Sequence, residues 1–248
     1  MKIGIIGCGW LGFRLAKQLS ANNELFVTTT SVKKLTDFPS YFHSFLINFN
    51  DSSVKEWETL QNLDSIIISI PFGRQLAFNF LEQRLKNLQK FIKTFKKQLF
   101  FTGSVGIYPS VNTEIDENFP SSALQPNLLF VENFLKIAFP QINILRLGGL
   151  MGGNRVFSNY AVSDLHQMVN HVHYQDVCLA IEKMIVQNTT SKTYNIVAPQ
   201  HPTKQEIINY QKNINIALTT NPSGKIVSSK KLENELDFTF SFPNPVYF

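Results

Sequence analysis

The chain has 248 residues, enough for one generous domain or two small ones around a sizeable core. Hydrophobic residues make up 44% and charged residues 17%, patterned as helices and strands throughout, which excludes disordered and fibrous classes. The net charge of +5 raises nucleic acid as a partner, but the excess lies in lysines scattered along the chain, the pattern of a solvated surface, so no nucleic-acid partner is expected.

No apolar stretch approaches the roughly 20 residues of a membrane-spanning helix. The opening MKIGIIGCGWLG is broken by glycines where a signal peptide would carry an apolar run. A cytoplasmic chain without membrane association is therefore expected. Cys8 and Cys178 stand too far apart in sequence to suggest a disulfide scaffold or a zinc cluster, and no metal is expected.

In chain order, Lys2–Ile6 is predicted as a strand, Trp10–Ser20 as a helix and Leu25–Thr30 as a second strand. Phe45–Phe49 follows as strand, Val54–Gln61 as a short helix and Ser65–Pro71 as strand. The clearest helix places Leu76, Phe80, Leu81, Leu85, Leu88, Phe91, Ile92 and Phe95 on one apolar face. Leu99–Thr102 is a strand, Asn127–Phe139 a helix ended by Pro140, and Ile142–Leu147 a strand. Next comes a glycine-rich loop, Gly148, Gly149, Gly152 and Gly153, with a polar stretch through Asn170. Asp176 stands where an N-cap belongs, ahead of a helix Val177–Val186, and Tyr194–Val197 returns as strand. The tail holds one helix, Lys204–Asn213, and then Pro-rich coil. Such alternation predicts an α/β fold with a Rossmann-like, doubly wound parallel sheet.

Gly7-Cys8-Gly9-Trp10-Leu11-Gly12 is a G-x-G-x-x-G segment that follows a predicted strand, opens a predicted helix and begins a β-α-β unit, the context a dinucleotide site requires. Gly7 makes the tight turn, Gly9 admits the pyrophosphate, and Gly12 lets the helix close on the strand, while N–H groups at the helix start hold the phosphates. A glycine-rich turn without ligand is the plainer alternative. Cys8 shares that helix start, where a thiol pKa can fall, although small size in a crowded loop explains it as well. After the second strand no Asp or Glu awaits the ribose 2′-hydroxyl of NAD. Thr30, Ser31, Lys33 and Lys34 stand there instead, a set suited to a 2′-phosphate, so NADP is the expected cofactor with NAD as the alternative. The competing reading makes Lys33 and Lys34 the solvated start of a helix.

With GCGWLG, TGSVGIYP, LRLGGLMGGNR, VNHVHYQDV and KKLENELDFTFSFPNP in this order, the chain resembles atypical short-chain dehydrogenase/reductases of the NAD-dependent epimerase/dehydratase superfamily, close to the YeeZ-like group, over nearly its whole length. The resemblance implies that Ser104 lies beside the nicotinamide and binds the reacting oxygen. It puts Asn48 in the place of an Asp that contacts the adenine, passes Ser69, Ile70 and Pro71 beside the nicotinamide ribose, and sets Leu150 and Met151 on the carboxamide side. The family's general acid is a Tyr-x-x-x-Lys pair, and this chain departs there, since none of its seven tyrosines has Lys four residues on. Tyr108 is the nearest catalytic candidate because its loop leaves a strand's carboxyl end, whereas family members use a Tyr there structurally. Asn79 falls near a helical Asn of the superfamily but reads as a polar-face residue. His173 and Asp176 match a family His-x-x-Asp, read as buried packing and helix capping, and His171 with His173 lacks metal-ligand spacing.

One NAD(P)-binding Rossmann-type domain over residues 1–248 is expected, with 148–170 and 199–248 forming a small C-terminal substrate-side lobe. The resemblance implies an NAD(P)-dependent oxidoreductase or epimerase-like enzyme with an atypical site, acting on a carbonyl or nucleotide-sugar-like small molecule. A non-catalytic NADP(H)-binding redox sensor or regulator is the alternative. Another, a dehydrogenase with a long all-helical second domain, is disfavoured by the strand Tyr194–Val197 and the short tail. No motif bears on substrate identity or oligomeric state.

Overall fold

The computed structural model describes residues 1–51, 53–216 and 221–248. Its elements are β1 (Lys2–Ile6), α1 (Trp10–Leu19), β2 (Glu24–Thr29), α2 (Val32–Asp37), β3 (Phe42–Leu46), β4 (Ser65–Ile68), α3 (Phe78–Ile92), β5 (Gln98–Ser104), β6 (Glu114–Ile115) and α4 (Pro126–Ala138). These continue as β7 (Asn143–Leu147), β8 (Gly149–Met151), β9 (His171–His173), α5 (Tyr174–Val186), β10 (Thr193–Ile196), α6 (Lys204–Lys212), β11 (Ile226–Val227) and α7 (Lys230–Leu236).

A seven-stranded sheet runs in the order β10-β7-β5-β4-β1-β2-β3, the Rossmann-like arrangement. The pairs β1–β2, β1–β4, β2–β3 and β4–β5 are parallel. Strands covered on both faces must be apolar along their length, which is why β4 is an unbroken buried run, Ser-Ile-Ile-Ile. Parallel pairing also sends the carboxyl ends of β1, β2, β3 and β4 to one edge, where open α/β sheets bind ligands.

The chain divides into two compact units. The first comprises Met1–Gly103, Gln125–Ile144 and Met184–Lys192. Its core joins Ile6, Ile66 and Ile68 of the sheet to Leu81, Leu85, Leu88 and Phe91 of α3 and to Val131 and Leu135 of α4. The second comprises Ser104–Leu124, Leu145–Lys183 and Thr193–Phe248. It contains the parallel ribbons β6–β11 and β8–β9 and a small cluster of Phe157, Val169 and Ile207.

Several expectations are corrected. The third strand lies three residues earlier than predicted, because β2 pairs in the register Leu25↔Phe42 and frees Phe49 to pack edge-on against Phe91 at 5.4 Å. The predicted helix over Val54–Gln61 is only a 3₁₀ turn, Leu60–Asn62. Val54, Trp57 and Leu60 have helical spacing and are all buried, but the Trp57 N–H donates to the Phe91 carbonyl at the end of α3, a tertiary bond in place of a helical one, and only its carbonyl bonds locally, to the Leu60 N–H. Part of the predicted glycine loop is strand β8, paired with β9. The tail carries a second helix, α7, where coil was expected. Phe80 leaves the apolar face of α3 and is exposed.

Candidate functional site

In the first unit the loop between β1 and α1 is set by three glycines with different constraints. Gly7 has φ +96°, a conformation that side chains rarely adopt, and a Cβ there would meet the Ser69 carbonyl oxygen and Ile70 Cγ2 at 2.7 Å. At Gly12 a Cβ would stand 2.4 Å from the Gly7 carbonyl oxygen, so only glycine lets α1 start this close to β1. Gly9 is the opposite case, for a Cβ there would meet nothing within 4 Å. The loop is anchored from β2, whose buried Thr28 accepts the Gly7 N–H on Oγ1 at 3.0 Å and the Cys8 N–H on its carbonyl at 2.7 Å.

Helix α1 opens at Gly9 without a side-chain cap, and its first i→i−4 bond runs from the Phe13 N–H to the Gly9 carbonyl at 3.0 Å. The N–H groups of Trp10, Leu11 and Gly12 precede that bond, at the positive end of the helix dipole. An uncapped helix start beside open space at a Cα fits a dinucleotide pyrophosphate. The Arg14 guanidinium lies over the Trp10 ring at 3.9 Å. Cys8 is buried and its thiol is pushed up to about 12 by desolvation, which keeps it protonated and unreactive.

The remaining first-unit candidates follow the carboxyl ends of β2, β3 and β4. Ser31 caps α2, accepting the Lys34 N–H at 3.4 Å, and Thr30, Lys33 and Lys34 are exposed. Lys33 and Lys34 thus do start a helix, as the competing reading had it. Asn48 is exposed and turns on itself, its Oδ1 accepting the Asn50 N–H at 3.1 Å. The buried Asn87 of α3, absent from the sequence-based set, holds the carbonyls of Phe49 and Asp51 at 2.9 and 3.0 Å and so fixes the Asn48 turn. Ser69 and Ile70 flank Gly7, while Pro71 is exposed. Asn79 is exposed, its Oδ1 accepting the next residue's N–H.

In the second unit, Ser104 is exposed at the end of β5 and its Oγ accepts the Gly106 N–H at 3.0 Å, which leaves the hydroxyl hydrogen to donate. Tyr108 is buried. Its hydroxyl donates to Asn195 Oδ1 at 2.8 Å and accepts from Arg146 Nη1 at 2.8 Å. The Asn195 N–H donates to Glu117 Oε1 at 2.6 Å, and Lys225 Nζ donates to the carbonyls of Val105 and Tyr108 at 3.2 and 2.7 Å. Burial raises the Tyr108 pKa and outweighs the opposing pull of Arg146. Arg146, Asn195, Glu117 and Lys225 are scattered through the sequence, and no local pattern joins them.

Leu150 and Met151 lie half-buried in β8, opposite Val172 and His173 of β9. His173 is buried and stacks on Phe242 at 3.8 Å, as the packing reading expected. Asp176 is not an N-cap, because α5 already starts at Tyr174. Its fully buried carboxylate accepts the N–H groups of Ser241 and Phe242 at 2.8 and 3.0 Å and ties down the tail. An Asp before an apolar run looks the same in sequence whether its donors are local or sixty residues away. Among the described residues, no His, Cys, Asp and Glu side chains gather to hold a metal, and no helix is long and apolar enough to cross a membrane.

No protein-family profile matches the chain. Protein YeeZ of Escherichia coli strain K12 is 26% identical over 269 residues, spanning 99% of this chain and 97% of its own length. Among solved structures, one from Methylobacillus flagellatus assigned as an NAD-dependent epimerase/dehydratase superposes with a TM-score of 0.78 at 19% identity, covering 99% of this chain and 95% of the other. UDP-glucuronic acid 4-epimerase from Bacillus cereus, solved in complex with NAD, matches with a TM-score of 0.73 at 15% identity, covering 100% and 95%.

Proposed function

We propose that the chain is a YeeZ-like member of the NAD-dependent epimerase/dehydratase superfamily, that it binds NADP(H) in preference to NAD(H), and that it works as an oxidoreductase on a carbonyl or nucleotide-sugar-like substrate. The observation that carries this reading is the cradle at Gly9, an uncapped helix start with open space where a side chain would be. The NAD in the Bacillus cereus epimerase supports the cofactor class. Such a cofactor supplies or accepts a hydride at its nicotinamide ring.

The residues then take these roles. The N–H groups of Trp10, Leu11 and Gly12 hold the pyrophosphate. Thr30 and Ser31 offer hydroxyls, and Lys33 and Lys34 offer charge, to the 2′-phosphate. Asn48 meets the adenine, Ser69, Ile70 and Pro71 line the nicotinamide ribose, and Leu150 and Met151 face the carboxamide. Ser104 donates its hydroxyl hydrogen to the reacting oxygen. Tyr108, with both hydroxyl bonds committed to Asn195 and Arg146, shapes the loop behind Ser104 and moves no proton. Segment 148–170 and the described residues of 199–248 form the substrate-side lobe; residues 217–220 of that range lie outside the described residues.

A second reading, a non-catalytic redox sensor, is favoured by α4, which carries no tyrosine and so no partner of the usual kind for Ser104. Thermal melts with NADPH and NADH test the binding step. At about 100 times its dissociation constant NADPH adds roughly 2.7 kcal/mol, a rise of about 5–10 °C for a chain of this size. No shift with either nucleotide refutes both readings. Turnover on a panel of carbonyl compounds and sugar nucleotides supports the enzyme, and tight binding without turnover supports the sensor.

A further inference from the structure

Arg84, on the second turn of α3, is the candidate that the cofactor roles leave unused. Its Nη1 donates to the Pro71 carbonyl at 2.9 Å, and its guanidinium carbon lies 5.3 Å from the centre of the Phe72 ring. The Nε–H is buried with no acceptor, and among the described residues no carboxylate pairs with the group. A guanidinium has five N–H donors, and a single carbonyl satisfies one of them. The side chain as a whole is half-buried, and desolvation acts against its charged form. The nearest acidic side chain along the helix, Glu82, is engaged by Lys86 at 2.9 Å.

The position gives the unmet donors a meaning. Pro71 lies three residues beyond the carboxyl end of β4, and the preceding Ser69 and Ile70 press against Gly7 of the phosphate loop. Arg74 adds a second guanidinium to the same loop, whose backbone is pinned where Asn127 Nδ2 donates to the Arg74 and Leu76 carbonyls at 2.9 and 3.0 Å. A planar fork of donors held on a helix beside a fixed loop matches the geometry of phosphate or carboxylate. We propose that Arg84 is the counter-ion of an oxyanion group on a ligand held at the carboxyl edge of β1 to β4. This rests on the dinucleotide reading and deepens it. The oxyanion comes either from the cofactor's pyrophosphate or from an anionic group of the substrate.

Calorimetric titration of wild type, Arg84→Gln and Arg84→Lys decides this. Glutamine keeps a donor for the Pro71 carbonyl without the charge, so a mere strut would be rescued by it. NADPH is titrated first, then inorganic phosphate and oxalate into NADP-saturated protein. The expected result is at least a tenfold loss in Arg84→Gln, partly restored in Arg84→Lys. Loss for NADPH assigns the site to the cofactor; unchanged NADPH with lost phosphate or oxalate binding assigns it to the substrate. If wild type takes up neither NADPH nor NADH, only the cofactor reading fails. Inorganic pyrophosphate is then titrated into the free protein, and its weakening in Arg84→Gln still supports the oxyanion site. Arg84→Gln binding every probe as wild type does, or wild type binding no oxyanion at all, overturns the proposal.

Discussion

The Gly7–Gly12 loop and the Tyr108 cluster both consist of polar groups next to a strand end, yet they are built in opposite ways. Around Tyr108 the hydroxyl, Asn195, Arg146 and Glu117 bond to one another within 2.6–2.8 Å, so what their burial costs is returned inside the protein. At Gly9 the helix start has no side-chain cap, and the space above its Cα is open. Saturated polar groups hold a fold together, whereas a helix start without a side-chain cap and with open space beside it fits an incoming anion. The same rule singles out Arg84, whose Nε–H is buried without an acceptor.

The sharpest break in this comparison is a pair of substitutions three residues apart. Gly12→Val should put a side chain into the 2.4 Å gap at the Gly7 carbonyl and cost about 3 kcal/mol or more, with loss of cooperative melting as the readout. Gly9→Val should leave the melting temperature within about 2 °C, the effect of a surface change of up to 0.5 kcal/mol, yet give a flat NADPH titration, because the side chain takes the pyrophosphate's space. A Gly9→Val protein that binds NADPH normally would remove the cradle assignment.

The Tyr108 cluster should respond the other way. Tyr108→Phe takes a buried acceptor from Arg146 and a donor from Asn195, a loss of about 1–3 kcal/mol in urea melts. NADPH affinity should not change. A variant with wild-type stability but abolished turnover would return Tyr108 to catalysis.

Acid should strain the second unit before pH 4. Burial holds the imidazoles of His171 and His173 at about 4, and the His171 Nδ1 has no partner. An unfolded histidine takes up its proton near 6.5. Between those values the unfolded chain binds more protons, so stability is full above about pH 6.5 and falls as the pH drops toward 4. Urea melts at pH 7, 5.5 and 4.5 should show the decline, and His171→Phe should flatten part of it. An unchanged slope in that variant would mean that other groups set the acid limit.

The smallest effect concerns nucleotide preference. Lys33 and Lys34 are exposed, so each exposed pairing with a 2′-phosphate is worth at most about 1 kcal/mol and is screened by salt. Lys33→Ala/Lys34→Ala should bring the NADPH and NADH melting shifts together, and 0.5 M salt should do much the same to wild type. Preference for NADPH that survives both treatments assigns the discrimination elsewhere.

What the sequence determined by itself is whatever depends on neighbours along the chain. The β-α-β opening, the spacing of Gly7, Gly9 and Gly12, and the helix predicted over Lys204–Asn213 follow from contacts within about a turn; the structure adds that Thr203 and Glu206 close a capping box at its start. The alternation of short apolar runs such as Ile66–Ile68 with longer helices also pointed to a parallel sheet, whose strands are covered on both faces. The tertiary structure alone decided where a polar group finds its partner. Asp176 bonds to Ser241 and Phe242, the Trp57 N–H to Phe91, and Tyr108 to Asn195, across separations that carry no periodic signal. A hydrogen bond between groups far apart along the chain constrains two atoms in space and leaves no trace in the spacing of residues. For that reason the main sheet strands and the long helices could be read from the chain, while the bonds that distinguish a buried strut from a ligand-binding group, and the short elements held by such bonds, became visible only after folding.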